Sequence, residues 1–355
     1  DMATIIQQPS ALEFSCMLPD VIFGSSADHS VVSVILTISG SDKTVFSETL
    51  FPSNGKITLE EMPQLIEPYA RQSLVVTLKV RIQELNASGD TIATTTTTPS
   101  LVLFSMCDVG ESATAFTSNH FLTTLNGPKI TYAGCEERLY AYNASQVTVR
   151  GTYFDGTNFI EKTGTLNAAV TTNGVSVFFV AVSDINTLLV RVGDLVEYTV
   201  TAGTRSQTFK VHQISVAPAP SLAFINSFGC TEFIHCVGTH RKESKYERQS
   251  ARFHSMLRNY RSTETRTFKA NTGWLNEAMA DWADELFRSL EVYLWVDGTI
   301  GREVVLSDSQ SIIENDSDDM PAFEFSYSYA QRIHNVMQCA HAGRIFDNTF
   351  DHTFN

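Results

Sequence analysis

Five Asn-Gly or Asp-Gly pairs punctuate the chain: Asn54-Gly55, Asn126-Gly127, Asp155-Gly156, Asn173-Gly174 and Asp297-Gly298. These dipeptides accept positive φ at both central positions of a tight turn, which the hairpin turn compatible with strand twist requires. The stretches between them include Ser30–Gly40, Ser73–Leu85 and Val175–Val182, short runs rich in Val, Ile, Leu and Phe with partial period-two alternation. Glu197–Val200 and Gln207–Val211 bracket Gly203 as a hairpin. Short strands separated by such turns specify antiparallel sheets that bury one face, not parallel α/β units. The expected fold is mainly β.

Two stretches read as joints. Thr94–Ser100 (TTTTTPS) is a threonine tract stopped by proline, and Ser215–Ser221 (SVAPAPS) carries alternating prolines. β-branched residues also suit an edge strand, so the threonine tract fits either role. Boundaries near 103 and 222 divide the 355 residues into 1–103 and 104–222, two antiparallel β-sandwich (Ig/FN3-like) domains, and 223–355. The last is expected to be a β-rich α+β docking domain ending in a flexible tail. In it Thr272 can cap one main helix (about 273–289), where Leu275, Met279, Trp282 and Leu286 recur at helical spacing. Glu291–Val296, Asp297-Gly298 and Glu303–Leu306 then read as a hairpin. Phe323, Phe325, Tyr327 and Tyr329 alternate with polar residues as a half-buried strand.

Composition narrows the function class. A 43% hydrophobic fraction with 18% charged residues suits folded domains rather than a disordered chain. The formal charge of −14 argues against a surface that coats nucleic acid or an anionic membrane. No run approaches the ~20 apolar residues of a membrane helix, so no membrane insertion is expected. Asp1–Glu13 shows no secretory signal. The six cysteines lie far apart with no CxxC pair, which suits reduced thiols.

Three features invite chemistry. Cys230, His235, Cys236 and His240 place four possible metal ligands within eleven residues, but not as the two separated pairs of a structural zinc site. They are weak metal candidates, and no cofactor is expected. Glu314–Asp319 is acidic but lacks the central glycine and distal glutamate of a calcium loop. No G-x-S-x-G, P-loop or G-x-G-x-x-G occurs. The chain therefore reads as a non-enzyme.

Arg241–Lys269 is the most unusual segment. Nine Lys/Arg against three Glu give it a local charge of +6, leaving −20 on the rest of the chain. Tyr246, Phe253, Tyr260 and Phe268 are interleaved with the cations. Three readings compete: a grip on single-stranded nucleic acid, an extended segment with aromatics packed inward and arginines wet, and a basic face docking on an identical neighbour. The third names Arg241, Lys242, Lys245, Arg248, Arg252, Arg258 and Arg261 as interface residues. The tail Phe346–Asn355 (FDNTFDHTFN) adds Phe346, Phe350 and Phe354 as aromatic anchors for a neighbouring subunit.

Several blocks also carry a resemblance: Ala223–Gly229 (AFINSFG), Lys245–Tyr260 (KYERQSARFHSMLRNY), Lys269–Leu275 (KANTGWL), Asp281-Trp282, Ser289–Tyr293 (SLEVY), Val304–Ser309 (VVLSDS) and Phe323–Tyr329 (FEFSYSY). Phe121-Leu122-Thr123 and Glu136–Arg138 before Leu139-Tyr140 extend it. Over most of residues 105–330 the sequence resembles structural proteins of the tail and baseplate modules of Bacteroidales prophages. The resemblance implies a place in a phage-like particle, with copies of itself and other particle proteins as partners, and implies no catalytic residues. It implies location in the virion, or in the bacterial cytoplasm during assembly. The competing expectation is a surface module whose sandwich loops recognise glycans or a receptor.

Overall fold

The computed structural model describes residues 2–214, 217–307 and 320–330. Among these the chain is mainly β, with several antiparallel sheets and 4 helices. The acidic loop Glu314–Asp319, the tail Phe346–Asn355, and His334, Cys339 and His341, which could join Cys230–His240 as ligands, lie outside the described residues. No helix among the described residues is long and apolar enough to cross a membrane. Two compact units form: one from residues up to His212 together with Ile225–Glu232, the other from the remaining described residues. The position near 103 thus falls inside one unit, and Leu103 is itself buried.

The first unit contains two sandwiches. In the first, a sheet ordered Leu12–Phe14, Ser100–Leu103, Val75–Leu85, His29–Ile38, Ser41–Leu50 faces a small sheet of Thr4–Gln7, Val21–Gly24 and Lys56–Leu59. Alternation in Val75–Leu85 sends Val76, Leu78, Val80 and Ile82 inward onto Phe23, Ile57 and Ile66. Glu84 continues the inward series and is buried, its carboxylate accepting from the Ala3 N–H at 2.8 Å and the Ser25 hydroxyl. A buried acid with both oxygens engaged avoids the desolvation penalty of an unpaired one. Thr91–Thr96 pairs antiparallel with Val75–Leu85, so the threonine tract begins as sheet and not as a joint. Helix α1, Met62–Ser73, closes this core with Met62, Ile66 and Ala70.

The second sandwich sets a sheet ordered Lys129–Tyr132, Arg205–His212, Asp194–Ala202, Gln146–Phe154, Phe159–Asn167 against Arg138–Tyr142, Val175–Phe179 and Val170–Thr172. Its core holds Val147, Val149, Tyr153, Phe178, Tyr198 and Phe209. The Tyr198 hydroxyl donates to the Val180 carbonyl at 2.6 Å, and its ring stacks on Phe209. Two short helices flank it, α2 (Ala113–Asn119) and α3 (Val182–Leu188). Lys129 and Glu137 form a buried ion pair at 2.6 Å. Two strand pairs are parallel exceptions to the antiparallel rule: Leu12–Phe14 on Ser100–Leu103, and Lys129–Tyr132 on Arg205–His212.

A third apolar cluster joins the two sandwiches. Phe14, Val75 and Leu103 come from the first, Val175 from the second, Phe116 from α2, and Phe228 and Cys230 from the 225–232 loop. Phe116 stacks on Phe228 at 5.2 Å, and Phe14 meets both rings at 5.7 Å. Asn226 organises the loop, its side-chain oxygen accepting from the Phe228 and Cys230 N–H groups.

The second unit is built on a seven-stranded sheet ordered Thr231–His235, Ser221–Ile225, Val292–Val296, Thr299–Ser307, Glu324–Tyr329, Met256–Asn271, His240–Phe253. Helix α4, Glu277–Arg288, lies against it through Trp282 on Phe224 and Phe287 on Phe323 and Phe325. Its cap is Asn276, whose side chain accepts from the Met279 N–H at 2.8 Å. Thr272 does not cap it: that residue is buried, and its hydroxyl bonds Gly273 and Phe323 backbone.

Candidate functional site

The feature that stands apart is the hairpin made by His240–Phe253 and Met256–Asn271. Arg241–Lys269, for which one of the three competing sequence readings is a single extended segment, is two antiparallel strands reversing at His254 and Ser255. Both turn residues have positive φ, 46° and 65°, the geometry of a type I′ turn built without Asn or Gly. Of the strand Met256–Asn271, Glu324–Tyr329 pairs with Phe268–Asn271 alone. Beyond Phe268, among the described residues, the two strands pair with each other alone, a ribbon about 35 Å long at ~3.3 Å per residue.

The root of this arm is aromatic. Phe268 is buried and stacks on Tyr327 at 4.9 Å, with Tyr329 at 5.1 Å. His240 stacks alongside and its Nε2 lies 2.8 Å from the Tyr327 hydroxyl. Burial pulls the His240 imidazole below its usual range and pushes the Tyr327 phenol up. Both shifts favour the uncharged imidazole and the uncharged phenol.

Further out, Glu264 and Arg266 form a two-pronged pair, Nε–Oε1 2.6 Å and Nη2–Oε2 2.7 Å. The Arg266 guanidinium, with help from Ser244 and Tyr246, holds the Glu264 carboxyl down at about 2. Lys245 pairs with Glu247 at 3.2 Å, and Lys269 with Glu243 at 3.2 Å. Arg241 reaches Glu243 at 4.0 Å. Each acid of the arm thus has a cation beside it.

The outer half is different. A bulge between Gln249 and Ser250 leaves Tyr260 as the extra residue, and such an insertion bends and twists a ribbon. From Arg248 to Ser262 there are four arginines, Arg248, Arg252, Arg258 and Arg261, and no Asp or Glu. All four are exposed, and among the described residues none stands in an ion pair. The Arg248 guanidinium lies over the Tyr246 ring at 5.7 Å. At the tip Met256 is 54% and Leu257 70% exposed, and Tyr260 is 68% exposed. Of the expected inward-packed aromatics, Phe268 is buried, whereas Tyr246 and Tyr260 face water.

The arm brings seven of the sequence-derived interface residues onto one element, with Arg241, Lys242 and Lys245 in the inner half and Arg248, Arg252, Arg258 and Arg261 in the outer. Met256 and Leu257 were not singled out, because His-Ser gave no turn signal to mark a tip. Phe346, Phe350 and Phe354 lie outside the described residues. Cys230, His235, Cys236 and His240 do not gather: among the described residues no three His, Cys, Asp or Glu side chains form a metal-sized cluster. His235 Nδ1 lies 2.9 Å from the Ser221 hydroxyl, while burial pushes the Cys236 thiol up to about 12. A cleft of about 390 Å³ opens beside His120, Asn126 and Lys210 in the second sandwich. The Gln207 amide there is committed to the Gly127 and Thr208 carbonyls.

No protein-family model and no curated protein matches the chain. Among solved structures, it is similar to red sea bream transglutaminase at 11% identity and a TM-score of 0.18, over 60% of this chain and 32% of that one. A likeness that slight carries no argument.

Proposed function

We propose that this chain is a non-catalytic structural subunit of a phage-tail or baseplate-like assembly, working through contacts between subunits. The observation that carries the reading is the arm. A two-stranded ribbon in water is marginally stable, because neither face buries apolar surface. A chain that extends one about 35 Å past its last supporting strand, with Met256 and Leu257 at the end, has the shape of an element completed by a partner. The blocks that resemble prophage tail and baseplate proteins supply the kind of assembly. The sandwiches then act as rigid spacers, their cores closed by Phe23, Tyr153 and Tyr198.

Light scattering of the full chain across a concentration series, alone and with the products of neighbouring tail genes, tests this. The expected result is a defined oligomer or co-complex, lost when residues 246–263 are replaced by an Asn-Gly turn. Persistent monomer under every condition overturns the reading. Saturable binding on a glycan array by a chain that never assembles replaces it with the surface-module alternative.

A further inference from the structure

The charge on the arm is divided unevenly, and the division says where a partner sits. In the inner half Glu243, Glu247 and Glu264 are each matched by Lys269, Lys245 and Arg266. Every acid of that half is paired within the ribbon, which leaves it +2 over five cations, against +4 over four for the outer half. The outer half has Arg248, Arg252, Arg258 and Arg261 with no acid from 248 to 262. The four lie along the two strands leading to an exposed apolar tip of Met256 and Leu257, with Tyr260 exposed between Arg258 and Arg261. An apolar centre with a rim of one charge sign is the anatomy of a recognition surface, and Arg and Tyr are the residue types that most often dominate one.

The same chain carries the opposite charge elsewhere. With +6 on Arg241–Lys269, the remaining residues hold −20. We infer that the outer half of the arm, residues 248–262, seats on the acidic surface of a second copy of this chain, with the four arginines steering and holding the contact and the Met256–Leu257 tip buried at its centre. The inference rests on the assembly reading and names the partner and the part of the arm that meets it. The contact is heterologous, since the arm of one copy meets a different surface on the next, so it propagates into a ring or a filament rather than closing a two-fold dimer. Opposite potentials on one chain speed encounter and disfavour the arm-to-arm pairing that would block growth.

Four full-length proteins decide the matter by sedimentation at 0.05 M and 0.5 M salt: the parent chain, the quadruple variant R248Q/R252Q/R258Q/R261Q, the quadruple Arg→Lys variant, and Leu257→Ser. All four substituted arginines are exposed, so the midpoint of thermal unfolding is the check that each protein folds. The parent is expected to self-associate and to weaken severalfold in high salt. The Gln variant should lose at least about tenfold in association and its salt dependence. The Lys variant should keep most of both, and Leu257→Ser should weaken association at either salt. If the parent assembles and the Gln variant assembles equally well with the same salt dependence, this inference falls while the assembly reading stands. Should the parent stay monomeric even with particle proteins, the assembly reading itself falls. If the Gln substitutions abolish binding to a single-stranded oligonucleotide and leave self-association untouched, the arm is a nucleic-acid grip and the inference is overturned.

Discussion

At the scale of single residues, the buried Lys129–Glu137 pair and the Glu264–Arg266 pair differ in what their charges are asked to do. Lys129 and Glu137 sit at 6% and 1% side-chain exposure, where removing one partner strands the other charge. Lys129→Met is expected to destabilise the protein by about 3 kcal/mol, whereas K129M/E137L together restores most of that, because neither buried charge remains to be desolvated. Urea denaturation of the three proteins measures it. Glu264 reports instead on the arm. Its carboxyl is held at about 2 against an ordinary value of 4.5, so its support for the arm is complete above the ordinary value and fades as pH falls towards 2. Protection of Thr263–Arg266 amides, corrected for intrinsic exchange, should fall as pH drops from 4.5 towards about 2, and Glu264→Gln should flatten that dependence.

Among elements, legibility in the sequence followed whether one face was buried. Val75–Leu85 and Gln146–Phe154 alternate because one side meets a core and the other water, and Asn173-Gly174 and Asp297-Gly298 mark real turns with φ of 50° and 85°, and 50° and 77°. Helix α1 was missed: Pro63 stands in its first turn and Pro68 in its middle, and prolines read as breaks in a helical pattern. The arm was visible as charge but not as a hairpin. Both its faces are wet, so no period-two signal exists, and its reversal falls on His254 and Ser255 rather than a glycine pair. That turn is a weak point open to improvement. Ser255 holds φ at 65°, a conformation costing a non-glycine residue about 1 kcal/mol. Ser255→Gly should therefore raise amide protection along 248–261 severalfold without moving the global unfolding midpoint, as hydrogen exchange would show.

On the scale of the whole molecule, the two sandwiches are one body because they share the cluster around Phe14, Phe116 and Phe228. Phe228→Ala should cost about 3–5 kcal/mol and lower a single cooperative transition of the first unit rather than splitting it, which calorimetry can distinguish. A threonine tract and a proline mark the position near 103, which lies between the two sandwiches but inside one compact unit, and nothing in composition announces that a loop more than a hundred residues later completes the core they share. That arrangement sets an order on biosynthesis. Residues up to His212 can leave the ribosome with their strands paired, yet the aromatic triad stays one ring short until Phe228 emerges. A nascent chain halted at 212 should consequently be cut by protease more readily than one halted after Glu232 has cleared the exit. Translation has to run past the apparent end of the first body before that body can shut.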